Sequence, residues 1–163
     1  MAKVPNFVCV TYIEATPEAV WRALTDAGMT AEYWGHSNVS NWNVGDRWEH
    51  VRTDGSGIAD VVGTVVESQP PTRLVITFGG PSDDAHKPTI VAFDIERYKQ
   101  IVKLTVTQTD FADLADYEAS ATGWPAVLAN LKTLLECGHA LPQPPWEMHA
   151  ELRDAQLVKN NPR

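Results

Sequence analysis

The residues best placed to do chemistry lie on one short stretch, DRWEHVR. Strand-like alternation there puts Trp48, His50 and Arg52 on one face and Arg47, Glu49 and Val51 on the other. An indole, an imidazole and a guanidinium turned into an otherwise apolar cavity would suit a hydrophobic ligand bearing one acidic or carbonyl group. Arg52 or His50 would then fix its orientation. An arginine facing a cavity is costly unless paired, so Arg52 should either meet a carboxylate such as Asp60 or wait for an anionic ligand group. Turned outwards instead, the same face is a solvated edge and the Arg52–Asp60 pair a surface ion pair.

Other chemistries lack their patterns. Histidines at 36, 50, 86, 139 and 149 show no HExxH or similar metal spacing, and His86, in DDAHK, reads as a solvated loop residue. Serine, histidine and aspartate co-occur without a GxSxG elbow. The glycines at 55, 57, 63, 79 and 80 read as turn and bulge glycines, and none belongs to a GxGxxG or P-loop pattern. Neither a metal, a nucleotide nor a covalent cofactor is expected. Cys9 and Cys137 form no CxxC and predict free thiols in a reducing compartment.

The elements that must position such residues are mostly strands. NFVCVTYI is rich in β-branched and aromatic types and predicts a first strand. Thr16 as cap, Pro17 at the first position and Glu18 in the first turn start a short helix that buries Val20, Trp21 and Leu24. A second short helix is expected from Thr30, read as its cap, to Gly35. After a Gly-Asp turn come DRWEHVR, the turn TDGSG, and the strands IADVVGTVVESQ, RLVITF, TIVAFDIERY and IVKLTVTQTDF, about six antiparallel strands in all.

The chain is organised around the stretch from Tyr117 to Gly138. Trp124, Val127, Leu128, Leu131, Leu134 and Leu135 recur at helical spacing, with Asn130, Lys132 and Glu136 on the other side. Each such side chain contributes about 2 kcal/mol when buried, so the stripe demands a large apolar partner, namely the sheet. Pro125 predicts a break near Gly123, with the helix proper starting at about Trp124. One domain over residues 1–140 is expected, followed by a tail over 141–163. In that tail Met148, Leu152 and Ala155 share a side, so a short helix is compatible if the domain or a second subunit offers a surface, as in a homodimer.

With 44% hydrophobic residues in 163, the chain can bury one core and is short for two. Its 21 acidic against 13 basic residues, net −8, would repel a polyphosphate, so nucleic acid is excluded as a partner. The start has no signal-peptide pattern and no apolar run approaches the roughly 18 residues of a membrane span, which predicts a cytoplasmic protein with no membrane partner.

The ordered motifs TPEAVWRALTD, EYWG, VVESQPPTRLVITF, KLTVTQTDF and GWPAVLANLKTLL resemble those of the bacterial proteins similar to the activator of Hsp90 ATPase, within the START and Bet v 1-like (SRPBCC) superfamily. The resemblance runs from Phe7 to about Leu135. It implies an α+β helix-grip fold, a seven-stranded antiparallel sheet curled round a long C-terminal helix. Relatives of this kind serve as lipid carriers, hydrophobic-ligand binders, cyclases, hydrolases or chaperone partners, so the fold alone selects no function. Where such relatives often carry a histidine after the LTVT-like strand, this chain has Gln108, which cannot shuttle protons near neutral pH.

The candidate cavity lining is therefore Trp48, His50, Arg52, Gln108, Trp124, Leu128 and Leu131. Trp124, at the start of the long helix, stands where a cavity would have its mouth or wall. The absence of an acid–base or nucleophile constellation favours a binding domain for a small hydrophobic molecule. A module acting on a chaperone or another regulatory protein is the second reading, and an enzyme using His50 and Arg52 the third.

Overall fold

A computed structural model describes residues 2–82 and 87–148. The elements run β1 (Phe7–Ile13), α1 (Pro17–Thr25), α2 (Ala27–Trp34), β2 (His36–Val39), β3 (Arg47–Arg52), β4 (Ala59–Gln69), β5 (Arg73–Phe78), β6 (Thr89–Tyr98), β7 (Ile101–Thr109) and α3 (Leu114–Cys137). The seven strands form one antiparallel sheet in the order β1-β7-β6-β5-β4-β3-β2, curled round α3. This is the helix-grip architecture. Its seventh strand, β2, escaped the strand count from sequence because HSNV is short and polar. It exists through its register with β3, His36 opposite Arg52 and Asn38 opposite His50.

The helix starts follow cap chemistry. The Thr16 hydroxyl accepts from the Ala19 N–H and Pro17 occupies the first turn, as expected. Helix α2 is different, because its cap is Asp26, whose carboxylate accepts from the Met29 N–H. Thr30 lies one turn in, fully buried, where its hydroxyl donates to the Ala27 carbonyl and accepts from the Asn38 N–H, tying α2 to β2. Gly35 ends the helix in the left-handed region, at φ 78°.

Two expectations about α3 are corrected. The helix does not break at Gly123; it runs unbroken from Leu114, capped by Asp113, through Pro125 to Cys137. Pro125 is exposed and takes away the amide that would have bonded the Ala121 carbonyl, yet the helix continues on both sides of it. Asn130, placed by the stripe on the wet side, is 1% exposed. The chain after Gly138 folds back over it: the Leu141 N–H donates to Asn130 Oδ1, and Nδ2 donates to the Gln143 carbonyl. Beyond that point the Trp146 ring packs against Gly35, leaving no room for a Cβ there, and meets the His36 ring edge-on at 5.9 Å. Residues 145–148 are helical; Leu152 and Ala155 of the tail stripe, like His86 and His149, lie outside the described residues.

The stripe itself packs as expected. Trp124, Val127, Leu128, Leu131 and Leu134 are buried with Ile13, Leu104, Val106, Val91 and Phe93 in one core, and Leu135 is half-buried. At the free edge of the sheet, Lys132 Nζ donates to the Tyr12 carbonyl and Glu136 accepts from the Glu14 N–H, so α3 side chains cover the end of β1.

Candidate ligand-binding site

The inward positions of β7 are Val102, Leu104, Val106 and Gln108, all buried, so the last of an apolar series is an amide. Its orientation is forced. The Trp124 Nε1–H can only donate, so the atom it meets at 2.8 Å must be Gln108 Oε1. Nε2 then donates to Thr89 Oγ1 at 2.9 Å, and that hydroxyl donates to the Phe78 carbonyl. Gln108 keeps one N–H and one lone pair unused.

That amide lies in the wall of a cleft of about 550 Å³ between the ends of β4 to β7 and the first turns of α3. Val61, Phe78, Phe111 and Ala119 supply apolar wall, while Thr89, Ser120, Asp60, Asp116 and Lys87 add polar groups. Of the residues singled out in the sequence, Gln108 lines this cleft and Trp124, 5% exposed, stands directly behind it. Leu128 and Leu131 are core residues, 2% and 0% exposed, and do not belong to its lining. Thr89, Phe78 and Phe111 were missed. The available signal was the glutamine itself, a polar break in the alternation of β7, whose neighbour β6 begins at Thr89, which in turn pairs with Phe78 at the end of β5.

Trp48 and His50 do face inwards, but into packing. Trp48 is fully buried and donates its indole N–H to the Thr77 carbonyl at 2.8 Å. That reach crosses β4 at Gly63, the residue paired with Trp48; a Cβ there would collide with the Thr77 carbonyl and stand 2.5 Å from the indole nitrogen. Gly63 is thus neither a turn nor a bulge glycine, but a mid-strand position left empty for close approach. His50, 6% exposed, hydrogen-bonds Asn38 Oδ1 through Nδ1 and packs between Trp34 at 4.9 Å and a parallel His36 ring at 4.1 Å.

Arg52 takes the first of its two options. It forms a two-point pair with Asp60, Nε and Nη2 both bonding the carboxylate, and its side chain is 45% exposed at the rim. Asp60 also accepts from His36 Nε2 at 2.9 Å. The guanidinium, then the imidazole, hold the Asp60 carboxyl well below the usual carboxylate range. A register shift after His50, opposite Asp60, ends the regular alternation that placed Arg52 beside Trp48 and His50.

Burial pulls the His50 pKa down to about 3, helped by His36 and opposed by Asp60, so His50 offers no positive charge at neutral pH. An unfolded histidine titrates near ~6.5, so below that pH the unfolded chain takes up a proton the folded chain refuses. Stability from this group is complete above about pH 6.5 and declines as pH falls, towards the folded value. Wild type is expected to lose about 2 kcal/mol more than His50→Gln between pH 7 and 5, measured by denaturant unfolding. The Asp60 contribution is lost only below about pH 4, outside that window. Parallel stability curves for the two proteins would contradict the assignment.

Among the described residues no three His, Cys, Asp or Glu side chains gather as a metal-binding group, and no helix is long and apolar enough to cross a membrane. A curled antiparallel sheet gripping one long helix, with a cleft at the mouth of the grip, defines a protein of the START/Bet v 1-like (SRPBCC) class. Within it, the chain belongs to the family of activator of Hsp90 ATPase homolog 1-like proteins, whose family model matches residues 14–136.

Solved structures share the fold. A Mesorhizobium loti protein, 24% identical, superposes with a TM-score of 0.70 over 80% of this chain and 96% of its own. The Aha1 dimer from Colwellia psychrerythraea is 23% identical with a TM-score of 0.69, covering 83% and 98%. An HSP90 activator from Plasmodium falciparum is 20% identical with a TM-score of 0.67, covering 80% and 95%. No curated protein matches the chain significantly.

Proposed function

We propose that this protein binds a small hydrophobic molecule in the cleft between β4–β7 and α3. The observation that carries the reading is the Gln108 amide, locked by Trp124 and Thr89 in the wall of a mainly apolar cleft large enough for a small ligand. Its unused N–H suits a carbonyl, ether or hydroxyl oxygen on the ligand, while Phe78, Phe111 and Val61 take the apolar body. The fold class commonly holds hydrophobic ligands, and a structural neighbour, 17% identical and with a TM-score of 0.69, comes from the dynemicin biosynthetic locus. Trp48, His50, Leu128 and Leu131 act in this reading as the packed support behind the cleft.

The test is titration with pyrenylmethanol, a neutral fluorescent probe. Ala119 is an exposed helical position in the cleft wall, so Ala119→Trp fills the cleft without entering the core. The variant is expected to weaken binding roughly tenfold or more, the loss of at least ~1.4 kcal/mol of contact. Unchanged affinity would place the probe elsewhere and overturn the reading.

The family match favours a second reading, a partner of an Hsp90-type chaperone. The outward residues Val8, Val10 and Tyr12 of β1 are 56%, 41% and 54% exposed and offer an apolar stripe for such a contact. Stimulation of a purified Hsp90-type ATPase by wild type, lost in Val10→Glu, supports it; no stimulation removes it.

A further inference from the structure

We infer that the cleft selects hydrophobic amines over hydrophobic acids, an inference that rests on the cleft being the ligand site. Three charged side chains line it, Asp60, Asp116 and Lys87. Asp60 has both oxygens engaged by Arg52 and His36, and Arg52 itself lies outside the lining, so the guanidinium is not available to an acid in the cleft. Lys87 projects into solvent, 81% exposed, and its Nζ lies 3.8 Å from the Asp110 carboxylate. Asp116 is the remaining charge, and among the described residues no cation stands within ion-pair distance of it.

The positive end of α3, which would otherwise attract an anion, is already covered. Asp113 caps it, its carboxylate accepting from the Asp116 N–H, and the Asp116 carboxylate adds a second negative charge to the first turn. The whole chain, at −8, biases encounter in the same direction. A ligand with its apolar body on Phe78 and Phe111, an oxygen at Gln108 and an ammonium at the mouth would match the unused Gln108 N–H and the Asp116 carboxylate.

Three probes with one apolar body test this: pyrenylmethylamine, pyrenylmethanol and pyrenecarboxylate, titrated at pH 7 and low salt. The amine is expected to bind about three-fold more tightly than the alcohol, the yield of one exposed ion pair, and the acid more weakly than the alcohol. Asp116→Asn should erase the amine's advantage over the alcohol. Glu96→Gln removes the same charge from an exposed strand end away from the cleft and should preserve that advantage. An acid that binds as well as the alcohol, or an amine preference untouched by Asp116→Asn, overturns the inference but not the ligand site. Failure of all three probes to bind overturns both.

Discussion

Gly63→Ala is expected to cost about 3 kcal/mol or more, a large loss for the addition of one methyl group. The new Cβ would overlap the Thr77 carbonyl, which belongs to the neighbouring strand and cannot withdraw without breaking the sheet. Trp48 would have to swing off the carbonyl it bonds, and its indole is fully buried, so the N–H would be left without a partner. Overpacking costs typically ~1–3 kcal/mol and an orphaned buried donor ~1–3 kcal/mol more. Denaturant unfolding measures the sum. In a Trp48→Phe background the indole conflict is gone, so the penalty of Gly63→Ala should shrink; a loss below about 1 kcal/mol in wild type would show that the crossing is not tight.

Leu131→Ala should lose about 2–5 kcal/mol. Leu131 is fully buried in the C-terminal half of α3, among core residues from both sheet and helices, so truncation leaves a cavity. The midpoint of denaturation should fall with its slope unchanged, since the surface exposed on unfolding is nearly the same. A loss under about 0.5 kcal/mol would contradict the packing of α3 on the sheet.

Periodicity made the architecture legible where burial is one-sided. The stripe from Trp124 to Leu134 and the alternation of β7 could each be assigned because a polar face and an apolar face separate cleanly. Where a later segment covers an element, the pattern misleads. Asn130 reads as wet until the chain after Gly138 returns to bond it, a contact no local window contains. Pro125 reads as a break, yet the helix continues through it, with the ring on an exposed face and the flanking Trp124 and Val127 held in the core. The Asp60 partner of Arg52 was legible from the pairing cost of an arginine. The division of the polar inward residues between a packed aromatic cluster at His50 and a cleft at Gln108 was not. It depends on ring positions such as Trp34 against Trp124 at 5.3 Å, which spacing does not encode.

The two ends of the sheet also decide how copies of this molecule can meet. An uncovered edge strand is a template for pairing with another chain, and the usual remedies are to shorten it or to occupy its free groups. Both are present. On one side the last strand, β2, is four residues long; on the other, Lys132 and Glu136 occupy the Tyr12 carbonyl and the Glu14 N–H at the end of β1. A lysine and a glutamate one turn apart on α3 therefore shorten the length of β1 open to pairing, independent of anything the cleft holds. Pairing along β1 would therefore have to begin beside Val8 and Val10, away from the end that α3 covers.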